Sequence, residues 1–236
     1  MTDHWENEKL RVLFCGDPAG EIAVLQPVSA EDFGDLETDM PLLHALFPEK
    51  DGNDTGKSGR MLVNVSVRDW NRQLAPWEAA PVFGKEGFGD GAATYLEELK
   101  NGVIEPIEEK WGKKTWYIAG YSLAGLFALW AATQRDTFHK VAAVSPSVWY
   151  PGFLEYIKEH PLQTTAVYLS LGLKEEKTKN PVMATVGDCI RTLDQMLEDG
   201  GITHILQWNE GNHFADYEGR MTRGLEWLLA GQPNEG

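Results

Sequence analysis

The sequence predicts an α/β fold: a mostly parallel central sheet with helices on both faces, led in by an antiparallel hairpin near the N-terminus. Three observations predict it. Short runs dense in Val, Leu, Ile and Phe alternate with stretches of helical periodicity, the order in which parallel strands and their crossovers follow one another. The 236 residues suffice for one such domain with a two-sided core, and no repeat, low-complexity tract or linker divides them. From Trp116 to Trp130 a short apolar strand enters a tight turn of small residues with Ser122 at its apex and leaves it as an apolar helix.

The segments Arg11 to Cys15 and Glu21 to Val28 are strand-like and are separated by Gly16-Asp17-Pro18-Ala19-Gly20, which reads as a hairpin. Residues 30–47 read as irregular or helical, and Glu49 to Gly59 as a polar, Gly-rich loop. Met61 to Val67 is a strongly apolar strand, followed by a connection from Arg68 to Gly89 that is too long and too aromatic for a mere turn. Asp90 is the expected N-cap of a helix with apolar positions Ala92, Ala93, Tyr95, Leu96 and Leu99, continuing through Pro106 to Trp111 with a kink or break between Gly102 and Pro106. Thr115 to Ala119, Val141 to Val144 and Ala166 to Leu171 are β-rich, with helices over 123–133 and roughly 151–160 between them. Asn180-Pro181 opens a helix whose Val182, Val186, Ile190, Leu193 and Leu197 recur at three- and four-residue intervals until Gly200-Gly201. His204 to Trp208 is the last strand and Phe214 to Leu229 the last helix.

Composition narrows the function classes. A formal charge of −15 argues against a phosphate-backbone partner or an anionic membrane surface, since both need clustered Lys and Arg. Hydrophobic residues make up 42%, which argues against disorder, and nine Trp leave large side chains to line a cleft. Cys15 and Cys189 lack any C-x-x-C spacing, so neither a disulfide framework nor a zinc site is expected, and no cofactor is called for. The acidic, polar N-terminus is unlike a secretory signal and no run approaches 18 apolar residues, so the expected location is cytoplasmic. Gly52-Asn53-Asp54-Thr55-Gly56-Lys57-Ser58 resembles a phosphate loop but is one residue short between its glycines and leads into a strand, which argues against nucleotide binding.

The chemistry centres on Ser122. A serine on a strained strand-to-helix turn projects its hydroxyl, and the helix start behind it offers free N–H groups to a developing oxyanion. Gly120 and Ala124 supply the small neighbours that the turn needs. Such a serine requires a base, and the base an orienting carboxylate, in the chain order Ser, acid, His on loops after strands. His213, in Glu210-Gly211-Asn212-His213-Phe214, fits as the base, against the plainer reading of a capping or surface histidine. His204 starts a strand, His139 and His160 end helices, and His4 and His44 precede the turn. For the acid, Gly172-Leu173-Lys174-Glu175-Glu176-Lys177 offers Glu175 first and Glu176 as its rival, and a solvated charge run would look the same. The oxyanion donors expected are the N–H of Leu123 and one from Asp69 or Trp70. Tyr121, Trp149 and Trp70 are candidate substrate contacts, although the aromatics of Ser145-Pro146-Ser147-Val148-Trp149-Tyr150 are better explained by packing.

The elbow, the Ser145–Tyr150 segment, the Gly-x-x-Glu after the following strand and the terminal Asn-His together resemble the esterase D-like (Putative esterase) branch of the α/β-hydrolases, which includes enterobactin and feruloyl esterases. The resemblance runs from about Met61 to the C-terminus. It implies an α/β-hydrolase fold for the single domain, residues 1–236, that the length suggests, and cleavage of a small-molecule ester, with Ser122 and His213 in the family's catalytic positions. It leaves the acid open, because some members manage with a serine and histidine pair. The N-terminal ~60 residues carry no family motif, and the basic lining implied for siderophore esterases has no counterpart in this sequence. Acyl transfer on the same residues, and a non-catalytic binding protein on the same fold, are the alternative readings.

Overall fold

The computed structural model describes residues 2–6, 10–31, 33, 47, 59–82 and 84–230. The polar loop 49–59 apart from its last residue, the phosphate-loop-like run and most of the stretch 30–47 lie outside them.

Eight strands, β1 (Thr2–Glu6), β2 (Arg11–Gly16), β3 (Ile22–Ser29), β4 (Arg60–Val67), β5 (Thr115–Tyr121), β6 (Phe138–Val144), β7 (Ala166–Gly172) and β8 (Thr203–Asn209), form one sheet. Their order is β1-β2-β4-β3-β5-β6-β7-β8, parallel from β4 onward. The expected antiparallel hairpin is present but is made by β1 and β2, not by Arg11–Cys15 with Glu21–Val28. β4 inserts between those two, antiparallel to β2 and parallel to β3. The reason is burial. Ala23, Val24 and Leu25 are buried whichever face they point to, so β3 needs a strand on each side, which β4 and β5 provide. The polar Thr2–Glu6 lacks the apolar alternation of a strand, yet an edge position asks for none. Pro27, with no N–H to give, lies beyond the last β3–β5 pair at Leu25.

Side-chain parity divides the core. On β5, Trp116 and Ile118 join the cluster covered by α2 (Ala92–Leu99), α3 (Glu105–Trp111), α4 (Leu123–Gln134), α5 (Phe153–Glu159) and α6 (Val186–Asp199). Tyr117, Ala119 and Tyr121 face the other side, where α7 (Tyr217–Leu229) packs through Met221, Leu225 and Leu228. Every residue of α4 from Leu123 to Thr133 is buried, the condition of a helix apolar on all sides.

Several local expectations shift. The helix after Asp90 is capped by Gly91, one residue on. In place of a break, the chain widens into a π turn over Lys100–Ile104, with the Glu105 N–H donating to Lys100 O; Pro106, which cannot donate, is thereby accommodated at the start of α3. Asn180 caps a turn rather than a helix: its Oδ1 accepts from the N–H groups of Val182 and Met183, and α6 begins at Val186. His139 lies within β6, not at a helix end. The last helix starts at Tyr217, which leaves Asn212 to Asp216 as a turn carrying His213.

Candidate active site

The parallel strands end at one edge of the sheet, and five of the six contribute a loop to the site: Asp69 and Trp70 after β4, Ser122 after β5, Ser145 and Ser147 after β6, Glu175 after β7 and His213 after β8. Convergence at the carboxyl ends of parallel strands is the general rule for open α/β sheets.

Ser122 has φ 57° and ψ −120°, a conformation that costs a non-glycine residue about 1–3 kcal/mol and must be held by its surroundings. Three backbone hydrogen bonds hold it. Its N–H donates to Val144 O at 3.0 Å, and its carbonyl accepts from Leu126 and Ser147, each at 3.1 Å. The turn is so tight that a Cβ on Gly120 would lie 2.3 Å from Ala124 O, so glycine is required there.

Ser122 Oγ lies 3.0 Å from His213 Nε2, and His213 Nδ1 lies 2.7 Å from Glu175 Oε2. Because a carboxylate only accepts, Nδ1 carries the proton and Nε2 is free to accept from the serine. Of the rival carboxylates, Glu175 is buried and turned to His213, while Glu176 is paired with Arg191 at 3.1 Å. One residue of a single turn of 3-10 helix, Glu175–Lys177, separates the two directions. Oε1 of Glu175 accepts from the Gly172 N–H at 2.7 Å, the Ser145 hydroxyl at 2.8 Å and Arg220 Nη1 at 2.9 Å. Burial acts to raise the Glu175 carboxyl, but the hydrogen bond and charge of His213, with the bonds from Gly172 and Ser145, outweigh it and hold the group below the usual carboxylate range. A Cβ at Gly172 would meet Gly211 O, Arg220 Nη2 and Glu175 Oε1 at 2.6–3.0 Å, so the knot closes only around a glycine.

Arg220, fully buried on α7, was not suggested by any motif. Besides Glu175, it donates to Ser145 Oγ at 3.1 Å, Tyr121 OH at 3.3 Å, Glu210 O at 2.8 Å and Asn212 O at 3.0 Å. One guanidinium thus joins the acid to the backbone of the loop that carries His213. Tyr121 belongs to the same knot: its hydroxyl donates to His213 O at 2.5 Å, and burial raises its pKa so that it remains a donor. The signal for Arg220 is a lone arginine on the apolar stripe of Met221, Leu225 and Leu228, recognisable only once that stripe is known to be buried.

In front of Ser122 opens a cavity of about 510 Å³. Trp70, Phe88, Trp149, Met183, Val186 and Phe214 form its apolar wall, with Asn71, Ser145 and Ser147 as polar points. Ser147 Oγ is 3.4 Å from Ser122 Oγ. Trp149 serves in both of its expected capacities, lining the cavity and packing edge-on against Phe88 at 6.1 Å. The Arg68–Gly89 connection is tied down by Tyr150 OH donating to Trp77 O at 2.6 Å and by Trp77 Nε1 donating to Pro151 O at 2.9 Å. Of the backbone donors considered, the Asp69 N–H is engaged by Gln73 Oε1 at 2.9 Å. Trp70 and Leu123 are the first residues of α1 (Trp70–Gln73) and α4, where amides have no acceptor within the helix.

The Putative esterase family matches residues 53–228. Similar solved structures include the siderophore hydrolase EstA from Aspergillus nidulans, 15% identical with a TM-score of 0.69 over 97% of this chain and 93% of that one. An IroE-like serine hydrolase from Shewanella oneidensis is 15% identical with a TM-score of 0.73, over 97% and 79% of the two chains. The enterobactin esterase FES from Shigella flexneri is 17% identical with a TM-score of 0.66; 97% of this chain aligns with 58% of that longer one. No curated protein matches the sequence. Likeness at such identities shows the shared α/β-hydrolase fold, whereas the family match spans well over half of the sequence, and on that ground the chain belongs to the Putative esterase family.

Proposed function

We propose that the protein is a serine hydrolase that cleaves a carboxylic ester of a small molecule through an acyl-enzyme. The observation that carries this reading is the unbroken line Ser122 Oγ, His213 Nε2, His213 Nδ1, Glu175 Oε2, with steps of 3.0 and 2.7 Å, at the mouth of an apolar cavity. Ser122 attacks the ester carbonyl as His213 takes its proton, and Glu175 stabilises the imidazolium that results. The Leu123 and Trp70 amides receive the negative charge of the tetrahedral intermediate. His213 then returns the proton to the departing alcohol, leaving the acyl group on Ser122. Water, activated by the same histidine, releases the acid and restores the serine.

Ser122→Ala is expected to lower kcat on a 4-nitrophenyl ester by about 10⁴-fold or more while the protein stays folded. A fluorophosphonate probe is expected to form an adduct at Ser122 of the native protein. Turnover by the alanine variant at the native rate, or no adduct, would overturn the reading.

A further inference from the structure

The cavity in front of Ser122 is unusual in its charge. Among the described residues that line it there is no Lys or Arg, and its two ionisable groups are Glu175 and His213. Both are committed to each other at 2.7 Å. Arg220 lies behind Glu175, fully buried, with its Nη atoms spent on five acceptors. Arg68 lines a second pocket, which shares Trp70, Ser122, His213 and Phe214 with this one but not Phe88, Trp149, Met183 or Val186. An anion entering this space would lose its hydration, find no cation, and approach the Glu175 carboxylate, whose lowered pKa keeps it negative. The six apolar residues of the wall would instead gain from covering a hydrocarbon surface.

We infer that the substrate is an ester with one uncharged, apolar half seated in this cavity, and that esters bearing an anionic group on that half are rejected. This rests on the hydrolase reading above.

The test uses the whole protein and two matched ester pairs. One pair puts charge on the acyl half: 4-nitrophenyl pentanoate against the 4-nitrophenyl hemiester of glutaric acid. The other puts it on the alcohol half: 3-phenylpropyl acetate against its 4-carboxyphenyl analogue. In one pair the charged member is expected to lose at least about 100-fold in kcat/KM, the scale of an unpaired buried carboxylate, and that pair identifies which half occupies the cavity. Met183→Lys, at a half-exposed position of the wall, is expected to narrow that gap by about tenfold by raising kcat/KM for the charged member relative to the neutral one. Charged and neutral members cleaved within about threefold in both pairs would overturn the inference while leaving the hydrolase reading intact. Failure to cleave any of the four, with no fluorophosphonate adduct, would remove the hydrolase reading and this inference with it.

Discussion

The ground behind His213 and the space in front of Ser122 are built in opposite ways. Behind His213, Glu175, Arg220, Ser145, Tyr121 and Gly172 share five hydrogen bonds, and a sixth runs from Tyr121 to His213 O, in a buried knot where each polar atom that moves weakens its partner. In front of Ser122, the wall is aromatic and aliphatic and held by packing, which tolerates change of shape far better. The difference separates two properties of the site. On the hydrolase reading proposed above, alterations to the knot should fall on kcat and alterations to the wall on KM.

The sharpest break of that contrast is within one turn. Glu175→Gln presents an amide where His213 Nδ1–H needs an acceptor and invites the wrong tautomer, so kcat is expected to fall about 10³- to 10⁴-fold with KM little changed. Glu176→Gln, which removes only the surface pair with Arg191, is expected to stay within about twofold of the native rate. Steady-state kinetics on the same ester decides; equal losses would mean that the carboxylates are interchangeable and the knot has no special role.

Arg220→Met comes next. It leaves the buried Glu175 carboxylate without its cation, removes the guanidinium donor from Glu210 O and leaves Asn212 O only the Ala215 N–H, at a cost of about 3–5 kcal/mol measured by denaturant unfolding. Arg220 holds the backbone of the loop that carries His213 and does not line the cavity, so on the hydrolase reading kcat is expected to drop by about tenfold or more at unchanged KM. Arg220→Lys, which keeps the charge but cannot reach five acceptors, should recover more of the stability than of the rate. Recovery of both in full would reduce Arg220 to a mere counter-charge.

How much of this was legible in the sequence follows the same division. That Ser122, His213 and one of Glu175 and Glu176 come together could be expected because the chain order and the loop-after-strand rule operate on local patterns. Glu175 could not be told from Glu176, since a 3-10 turn separates their directions by one residue and both are polar. The hairpin was assigned to the wrong partners for a related reason: periodicity shows that β2 and β3 are strands, but which strand inserts between them depends on how far each must be buried. Arg220 and the role of Tyr121 were invisible, because their partners lie 45 and 92 residues away in the chain.

The pH response tests the knot more gently. Glu175 has its carboxyl held below the ordinary value of about 4.3, so the folded state binds its proton less readily than the unfolded one. The stability it contributes is therefore present above that ordinary value and lost as pH falls through the lower, folded value. The gap in Tm between the native protein and Glu175→Gln is expected to be constant from about pH 6 to pH 8 and to shrink below about pH 4. A gap that widens in acid would mean that burial, not hydrogen bonding, governs the carboxyl.

The smallest effect should come from Phe214, which belongs by sequence to the histidine's loop but by position to the wall. It is 87% exposed, stands edge-on to the His213 ring at 5.3 Å, and lines the cavity mouth. A large apolar side chain so exposed gains little from the fold, so Phe214→Ala is expected to change stability by no more than about 0.5 kcal/mol. If it serves the cavity, its removal costs binding that substrate and transition state share: KM for an apolar ester rises about three- to tenfold and kcat stays constant. A fall in kcat at constant KM would place Phe214 with the knot instead, as a brace for the imidazole, and the boundary between the two regions would then run through the gap between residues 214 and 217 rather than beside His213.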